Sequence, residues 1–400
     1  MTKRRRVLSL ATLYPNSNTP RFGTFVARQL EALAARGDWD VTVINPIGIP
    51  PIAFGRYKPL LRTLGAGVEH GVEVHRLRFT LIPRFGARRN PAAIARAALP
   101  LARKMHAERP FDLVDAQFFF PDGPAAATIA RELGLPLSIK ARGADIHHWG
   151  SEQHANSALI AAGQQASGLL AVSGPLADDM VALGMPREKI LVHYTGLDRT
   201  RFHPLGRDTA RLAMTSDLGL RISPDRALLA CVGALVPRKG QSFAITALVQ
   251  LPDAELALVG SGPDEAALRR LATELGVADR VHFLGSVDHD LLPVLLSAAN
   301  VMVLPSASEG LANAWVEALA CGTPLVICDA GGAREVVRDD SAGRIVARDA
   351  SAIAAAVAEI LAAPPQPQEV AANAAHFSWE ANAAALAEYY ERICAGAVPR

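Results

Sequence analysis

Residues 305–324 read PSASEGLANAWVEALACGTP, and they directly follow the short apolar run Val301–Leu304. The apolar run is typical of a buried strand, and we predict a helix from about Ala312 to Ala320. The residues between them, which include Glu309 and Gly310, form the connecting loop. A strand that passes through a Gly-bearing loop into a helix is the repeating unit of a parallel α/β sheet.

The same order of strand, loop and helix occurs in both halves of the chain, on either side of the polar stretch 199–226. We predict strands at Val7–Leu13, Val41–Ile44, Val72–Leu77, Leu113–Ala116, Leu137–Ala141, Leu169–Val172, Ile190–His193, Leu228–Val232, Leu256–Val259, Val281–Phe283, Val301–Leu304 and Leu325–Ile327. Helices are expected between several of these strands, for example at Phe25–Ala35, Asp122–Leu133 and Glu265–Leu275. The pattern therefore indicates two doubly wound α/β domains, whose ligands bind beyond the carboxyl ends of the strands and in a cleft between the domains.

The composition excludes several other classes of protein. A chain of 400 residues, half of them hydrophobic, fits two domains and is too apolar to be disordered. Its four cysteines form no C-x-x-C pair, which excludes a disulfide scaffold and favours a reducing compartment. No apolar run reaches the roughly 18 residues that a membrane-spanning helix needs. The basic N-terminus lacks a cleavage site, so we interpret residues 7–13 as a first strand rather than a signal peptide.

Two carboxylates are spaced to bind opposite ends of an extended ligand. Glu309 lies in the predicted loop and Glu317 in the predicted helix, at most about 12 Å further along at 1.5 Å per residue. A carboxylate can accept two hydroxyl hydrogen bonds, which suits a sugar or a ribose, and a helix N-terminus favours a phosphate. Taken singly, each Glu is better explained by structure alone, Glu309 as an ordinary acid at a helix N-terminus and Glu317 as part of a solvated helix face.

A second segment with binding chemistry is residues 232–240, VGALVPRKG, which follow the first strand of the second domain. A loop with Gly233 and the adjacent cations Arg238 and Lys239, placed ahead of a helix, suits a pyrophosphate. An ordinary connecting loop with exposed charges is the alternative.

These two segments resemble the E-x7-E element and the G-R-L-x-x-x-K-G loop of retaining glycosyltransferases of family 4, which have the GT-B fold. The resemblance implies that Glu309 contacts the donor sugar, that Glu317 contacts the nucleotide ribose, and that Lys239 stabilises the departing diphosphate. It further implies a donor site that includes Gly233, Gly310 and Leu311. This chain has Ala234 where the family often has Arg, and we expect Arg238 to supply the missing charge.

The first half resembles the bacterial members of this family that act on surface polysaccharides. Tyr14-Pro15 and the segment 21–26, RFGTFV, resemble the first loop, in which Gly23 would let the backbone approach the donor phosphates. Residues 139–147 resemble the H-G-x-D loop of the acceptor side, with Arg142 in place of His. There Asp145 or His147 would orient an acceptor hydroxyl and Arg142 would meet an acceptor phosphate. That Asp145 caps a helix and the histidines face solvent is about as well supported.

We expect no cofactor and no required metal, because the nucleotide sugar is a substrate and cations would replace a metal ion. The sequence Asp38-Trp39-Asp40 has the form D-x-D, but it lies at a helix-to-strand turn, far from a carboxyl strand end. No His/Cys cluster has the spacing of metal ligands.

Charge is distributed unevenly along the chain. Residues 1–200 hold 25 Lys/Arg and 16 Asp/Glu, a net charge of +9, whereas residues 201–400 hold 16 and 23, a net charge of −7. Residues 84–109 contain seven Lys/Arg and one acid, Glu108. This stretch is either a basic amphipathic helix on an anionic membrane or a solvated helix with its apolar face in the core.

The sequence thus predicts a GT-B protein with an acceptor-side domain at 1–200, a nucleotide-sugar domain at 201–375, and a last helix, 376–400, that returns to the first domain. The predicted function is metal-independent transfer of a hexose from a UDP- or GDP-sugar to a glycan or lipid-linked acceptor, with retention of configuration. We expect a cytoplasmic protein that could be peripheral on the membrane. The alternatives are a nucleotide-sugar 2-epimerase, a binding protein without turnover and, least supported, a nucleic-acid-binding protein.

Overall fold

The computed structural model describes residues 4–82, 87–223 and 225–397, and the segment 83–86 within the basic stretch lies outside them. The chain forms two compact units. Unit 1 comprises the described residues up to Gly196 together with the C-terminal segment from Trp379, and unit 2 comprises Leu197–Ser378. These boundaries lie within four residues of those expected from the sequence, at 200/201 and 375/376.

Unit 1 is built on a sheet of eight described strands in the order β3-β4-β2-β1-β5-β6-β7-β8. All neighbouring strands are parallel except β3 and β4, which form an antiparallel hairpin at the edge. The strands are β1 (Arg5–Leu10), β2 (Trp39–Ile49), β3 (Gly65–Glu69), β4 (Val72–Thr80), β5 (Leu113–Ala116), β6 (Leu137–Ala141), β7 (Gly168–Ala171) and β8 (Ile190–Val192).

Helices connect these strands, and the last helix of the chain also belongs to this unit. The helices of unit 1 are α1 (Thr24–Ala35), α2 (Asn90–Glu108), α3 (Asp122–Leu133), α4 (Ala144–His147), α5 (Gln153–Gln165), α6 (Gly174–Ala182) and α15 (Trp379–Cys394). Helix α15 buries its tyrosines in the same core as β1, β2 and α1, and the ring of Tyr390 meets Trp39 edge-on at 5.3 Å. Gly168 leaves room for it, because a Cβ there would lie 2.6 Å from the Tyr389 hydroxyl.

Unit 2 contains a fully parallel sheet of six described strands in the order β11-β10-β9-β12-β13-β14. Its strands are β9 (Ala227–Val232), β10 (Ala254–Val259), β11 (Val281–Gly285), β12 (Val301–Leu304), β13 (Leu325–Cys328) and β14 (Gly343–Val346). Its helices are α7 (Arg207–Leu218), α8 (Gln241–Ala247), α9 (Glu265–Glu274), α10 (Leu292–Ala298), α11 (Asn313–Ala320), α12 (Ala333–Val336), α13 (Ala350–Ala362) and α14 (Pro367–Ala372). Each unit is therefore a doubly wound, Rossmann-like α/β domain, as the sequence predicts.

Helix α2 decides between the two interpretations of the basic stretch 84–109. Its apolar residues Ile94, Ala98 and Ala102 are fully buried within unit 1, so they are not available for insertion into a lipid surface. Of its cations, Arg103 pairs with Glu132 of α3. Of the two interpretations, this geometry favours a solvated helix with its apolar face in the core, and insertion of an apolar face of α2 into a membrane has no support in it.

Candidate functional site

The β9–α8 loop holds the cations that the sequence singles out. Arg238 and Lys239 lie in a short 3₁₀ turn, Pro237–Lys239, which ends at Gly240 in a left-handed conformation, with φ of 74°. A Cβ on Gly240 would lie 2.3 Å from the carbonyl oxygen of Pro305. Only glycine therefore lets this loop pack directly on the loop that follows β12.

The glycines of the β10–α9 turn support the same loop from the other side. A Cβ on Gly260 would lie 2.0 Å from the Gly233 carbonyl oxygen, and one on Gly262 would lie 2.1 Å from that of Leu235. The backbone N–H of Leu235 also donates to the Ser261 carbonyl at 3.1 Å. The sequence VGSGP thus owes its glycines to the close approach of two backbones.

Lys239 and Glu309 form the centre of the candidate site. The Lys239 ammonium donates to Glu309 Oε1 at 2.5 Å, and both side chains are largely buried, at 13% and 8% exposure. The Arg238 guanidinium lies 3.4 Å from the same carboxylate oxygen and donates to the Ser308 carbonyl at 2.6 Å. The structure thus places one carboxylate against two cations in a partly buried environment, where charges interact more strongly than in bulk water.

The backbone around Glu309 is held by the loop that follows β13. A Cβ on Gly331 would lie 2.2 Å from the Glu309 carbonyl oxygen, and the Gly332 N–H donates to the Gly310 carbonyl at 2.8 Å. Leu311 is buried beside them. Since helix α11 begins at Asn313, Glu309 belongs to the loop, and its position is fixed by packing on two other loops, those after β9 and β13.

Glu317 lies within α11 with its carboxylate nearly buried, at 11% side-chain exposure. Its partner is His289, whose Nε2 lies 3.1 Å from Glu317 Oε1 and whose Nδ1 lies 3.3 Å from the Arg201 guanidinium. Because Arg can only donate, Nδ1 accepts and the proton resides on Nε2, which donates to Glu317. The Phe202 ring lies 5.1 Å from the imidazole.

Sequence reasoning missed His289. It follows β11, and its place beyond a carboxyl strand end is the signal that could have found it. His282 of that strand is instead bound to Glu255 of β10, at 2.6 Å.

In unit 1 the predicted site residues lie at the carboxyl edge of the sheet, but several are committed to the fold. A Cβ on Gly23 would lie 2.5 Å from the Leu13 carbonyl carbon, so its φ of 75° already serves the packing of its own loop. Its predicted contact with donor phosphates stays a prediction.

In the predicted acceptor-side loop after β6, the contacts of Asp145 are closer to the structural alternative than to the acceptor role. The buried Asp145 carboxylate accepts the backbone N–H groups of Phe119, Arg142 and Gly143 at 2.8–3.2 Å. This carboxylate therefore orders the loop and is not directed at an acceptor hydroxyl. His147 binds Asp179 at 2.8 Å.

Arg142 is also engaged internally. It donates to the carbonyl and side-chain oxygens of Gln117 at 2.8 and 2.6 Å and stacks over Phe25, at 4.8 Å. Burial lowers the pKa of Arg142 to about 10. An acceptor phosphate would have to displace these contacts, so the expectation that Arg142 binds one has no support in this geometry.

A buried polar network beneath this loop went unrecognised in the sequence. The Lys140 ammonium, fully buried in β6, donates to Gln29 Oε1 at 2.8 Å and to His193 Nδ1 at 2.6 Å. His193 Nε2 in turn donates to the Asn382 carbonyl of α15 at 2.9 Å. Burial lowers the pKa of both Lys140 and His193 well below their usual values. The network ties α1, β6 and α15 together.

Two negative findings apply to the described residues alone. None of their His, Cys, Asp and Glu side chains form a cluster of three that could hold a metal ion. None of their helices combines the length and apolar character needed to cross a membrane. Asp40 lies at the amino end of β2 and pairs with Arg109, as expected for a structural turn rather than a D-x-D site.

Comparison with known proteins assigns the two units to known domains. Residues 22–201 match the model "Glycosyltransferase Family 4", and residues 219–377 match "Glycosyl transferases group 1". A GDP-mannose-dependent alpha-(1-6)-phosphatidylinositol monomannoside mannosyltransferase of Mycolicibacterium smegmatis is 37% identical over 210 residues, covering 48% of this chain and 54% of that relative. D-inositol 3-phosphate glycosyltransferase 2 of Catenulispora acidiphila is 36% identical over 243 residues and covers 56% of each chain. The chain thus spans about half the length of the curated relatives it matches.

Solved structures agree in fold. Sucrose-phosphate synthase from Thermosynechococcus elongatus superposes with a TM-score of 0.77 at 24% identity and covers 98% of this chain and 100% of its own. HepE of Anabaena, solved in complex with UDP and glucose, gives 0.73 at 22% identity over 96% of this chain and 99% of its own. The two domain models together match most of the chain, and both units have the Rossmann-like fold of these structures. The chain therefore belongs to the family 4 glycosyltransferases of GT-B fold.

Proposed function

We propose that this protein transfers a sugar from a nucleoside diphosphate donor to an acceptor hydroxyl with retention of anomeric configuration. The observation that carries the proposal is the buried pairing of Lys239 with Glu309, at 2.5 Å, between the loops that follow the neighbouring strands β9 and β12. Ligands of doubly wound sheets bind at this edge. A bound donor would insert its diphosphate at the cations and its sugar at the carboxylate.

In this proposal the residues of unit 2 divide the donor among them. Lys239 and Arg238 stabilise the negative charge that develops on the diphosphate as the bond between the sugar C1 and the phosphate oxygen breaks. Glu309 accepts hydrogen bonds from the sugar hydroxyls, and Glu317, oriented by His289, accepts from the ribose. Gly233, Gly310 and Leu311 form the backbone of the same loops.

The acceptor oxygen attacks the sugar C1 from the face that the diphosphate leaves, and its proton passes to the departing phosphate oxygen. This order of events keeps the anomeric configuration and needs no covalent intermediate on the protein. We propose that no metal ion is required, because two cationic side chains already face the diphosphate position. The relatives described above are named as transferases, which favours transfer over 2-epimerisation.

The acceptor we propose is a hydroxyl of a glycan or of a lipid-linked glycan. Support comes from the M. smegmatis relative, whose name specifies a phosphatidylinositol mannoside. Arg88, Arg89 and Arg96 of unit 1 are exposed and would attract an anionic lipid surface by charge alone. A peripheral place on the cytoplasmic face of the membrane would follow from such attraction.

The test is titration calorimetry of the full chain with UDP, GDP, ADP and their sugar conjugates, without added metal and again with EDTA. We expect one nucleotide class to bind, with affinity unchanged by EDTA and reduced about tenfold or more in Lys239→Ala, which removes a charge-assisted contact to phosphate. Glu274→Gln, at an exposed acid of α9, is the matched control for Glu317→Gln. If no nucleotide binds, or if binding is indifferent to both Lys239 and Glu317, the proposal is wrong.

The nucleotide that binds is then used as its sugar donor in a transfer assay with glycolipid extracts. Incubation of the donor without an acceptor distinguishes the epimerase, which would convert the sugar on its own. The anomeric configuration of the product, read by NMR coupling constants, tests retention.

A further inference from the structure

Unit 2 contains a cavity that lies far from the candidate donor site. It has a volume of about 650 Å³ and is bounded by the first residues of β9 and β10, Ala227 and Ala254, and by Asn300, which precedes β12. Helices α7 and α13 supply the other walls. The cavity therefore opens at the amino ends of the strands, whereas Lys239 and Glu309 follow the carboxyl ends. Strand β9, with six residues, separates the two places by about 20 Å at 3.3 Å per residue.

Three arginines line this cavity: Arg207 and Arg211 of α7, and Arg226 just before β9. The carboxylates among the lining residues are the exposed Asp225 and Asp253. Arg226 is the one of the three with a described ion-pair partner, Glu255, and that contact is long, at 3.9 Å. The lining thus holds three guanidinium groups and two carboxylates, and the charges of Asp208 and Glu255 also act on these arginines.

Arg207 has a polar group that no described residue satisfies. Its Nε is buried and has no hydrogen-bond partner among the described residues. Burial and, next, the charge of Arg211 lower the pKa of Arg207, whereas the charge of Asp208 raises it. A half-buried guanidinium beside a second one gains from a further anion, because each charge loses solvation and repels the other.

Arg211 is fixed in place. Its Nη2 donates to the Arg226 carbonyl and to Asn300 Oδ1, both at 3.0 Å, and these bonds hold the guanidinium at the cavity wall. Its hydrogen-bond partners are neutral, and the carboxylates that act on its charge, Asp208 and Glu255, form no described ion pair with it, so a ligand can still bind the guanidinium. A rigid guanidinium loses little entropy when an anion binds, and its planar fork matches the oxygens of a phosphate.

We propose that this cavity is a second ligand site, which binds a small phosphorylated sugar through Arg207, Arg211 and Arg226. The volume suits a ligand of this size. Gln250, Asp225 and Asp253 line the same cavity and can bond sugar hydroxyls, while Leu251 and Leu361 provide an apolar wall. This site is independent of the donor site, and the inference does not depend on the proposed reaction.

The test is titration calorimetry with glucose 6-phosphate, inorganic phosphate, glucuronate and glucose, carried out on the full chain with Lys239→Ala to disable the donor phosphate position. We expect glucose 6-phosphate to bind at one site per chain, inorganic phosphate to bind more weakly, and glucose not to bind. Arg207→Ala should weaken glucose 6-phosphate binding about tenfold or more, and Arg207→Lys should restore part of it.

Arg270→Ala is the matched control, since Arg270 is an exposed arginine of α9 outside the cavity. This variant should bind glucose 6-phosphate with the same affinity as the Lys239→Ala chain from which it is made. Arg226→Gln provides a second variant if Arg207→Ala does not fold, as judged by its melting curve. Absence of binding by both phosphate compounds would overturn the proposal. So would equal binding in the arginine variants, or glucuronate or glucose binding as tightly as the sugar phosphate.

Discussion

Replacing Gly240 by Ala should disable the cationic loop without replacing a charged residue. Gly240 has a φ of 74°, and an added Cβ would lie 2.3 Å from the Pro305 carbonyl oxygen. Real Cβ atoms essentially never lie within 3.0 Å of another heavy atom, and distances of 3.0–3.4 Å are already tight. The loop that carries Lys239 must therefore move by about 0.7–1.1 Å relative to the loop that carries Glu309.

Such a movement is large for the Lys239–Glu309 pair, whose bond is 2.5 Å long. Misplacing a positioned group by about 1 Å can cost on the order of a hundredfold in rate. For binding alone, loss of a charge-assisted hydrogen bond costs about 1.5–3 kcal/mol, which corresponds to about a 10- to 100-fold weaker affinity for a nucleoside diphosphate. The left-handed conformation itself costs a non-glycine residue about 1–2 kcal/mol of stability.

Gly276→Ala separates the two effects. Gly276, after α9, has a φ of 67°, but a Cβ there meets nothing within 4 Å. It therefore carries the same backbone cost without displacing a neighbour. The left-handed backbone should lower the melting temperature of both variants by a similar amount. Only Gly240→Ala should weaken the binding of the nucleoside diphosphate.

The assay is calorimetric titration of each folded variant with the nucleoside diphosphate that the wild-type protein binds. If Gly240→Ala binds the nucleotide as the wild type does, the contact between the two loops does not position Lys239, and the reasoning is refuted. Equal losses of affinity in Gly240→Ala and Gly276→Ala would refute it as well, because the effect would then come from general destabilisation.

Three further predictions concern other residues. Glu309→Gln should lower sugar transfer by about 10²–10³-fold while leaving the affinity for the free nucleoside diphosphate nearly unchanged, since its proposed contact is to the sugar; parallel kinetics and calorimetry check this. His289→Ala should weaken the binding of nucleoside diphosphate but not that of pyrophosphate, because His289 acts by orienting Glu317, and equal losses for both ligands would contradict that assignment. Burial raises the pKa of Asp122 from 3.8 to about 7. The folded chain therefore keeps a proton that the unfolded chain releases, and stability falls as the pH rises from about 4 to about 7. Asp122→Asn should flatten this slope in melting curves recorded across that range, and an unchanged slope would exclude Asp122 as its source.

The strands that are buried on both faces were predictable from sequence. Val301–Leu304 matches the structure to the residue, because its continuous apolar run is buried over its whole length. Leu113–Ala116 matches as well, and its one charged residue, Asp115, is fully buried with the rest of the strand. Strand β3 was not predicted, since Gly65–Glu69 is an exposed edge strand and carries no burial pattern to read. Helix α7 lies within the polar stretch 199–226, where the sequence predicts no helix, because among its residues only Ala210 and Met214 are buried.

The pairing of Lys239 with Glu309 could be anticipated even though 70 residues separate them. Both follow carboxyl strand ends, and β9 and β12 are neighbours in the sheet, so topology alone brings the two loops together. His289 has no such advantage. It follows β11 at the edge of the sheet, two strands away from β9, and reaches Glu317 only through the path of its own loop.

Lys140 shows most clearly why the rest of the polar arrangement was out of reach. A cation in a strand usually indicates a solvent-facing position, but Ile139, Lys140 and Ala141 are all fully buried in β6, because helices cover both faces of the sheet. A buried ammonium is tolerated only with partners, and here these come from Gln29 and His193, 111 and 53 residues away in sequence. The hydrogen bond from His193 to α15 adds a polar contact to the buried tyrosines that hold this helix in the first unit. Periodicity reports which positions are buried, whereas a buried polar network depends on partners that only the folded chain brings together.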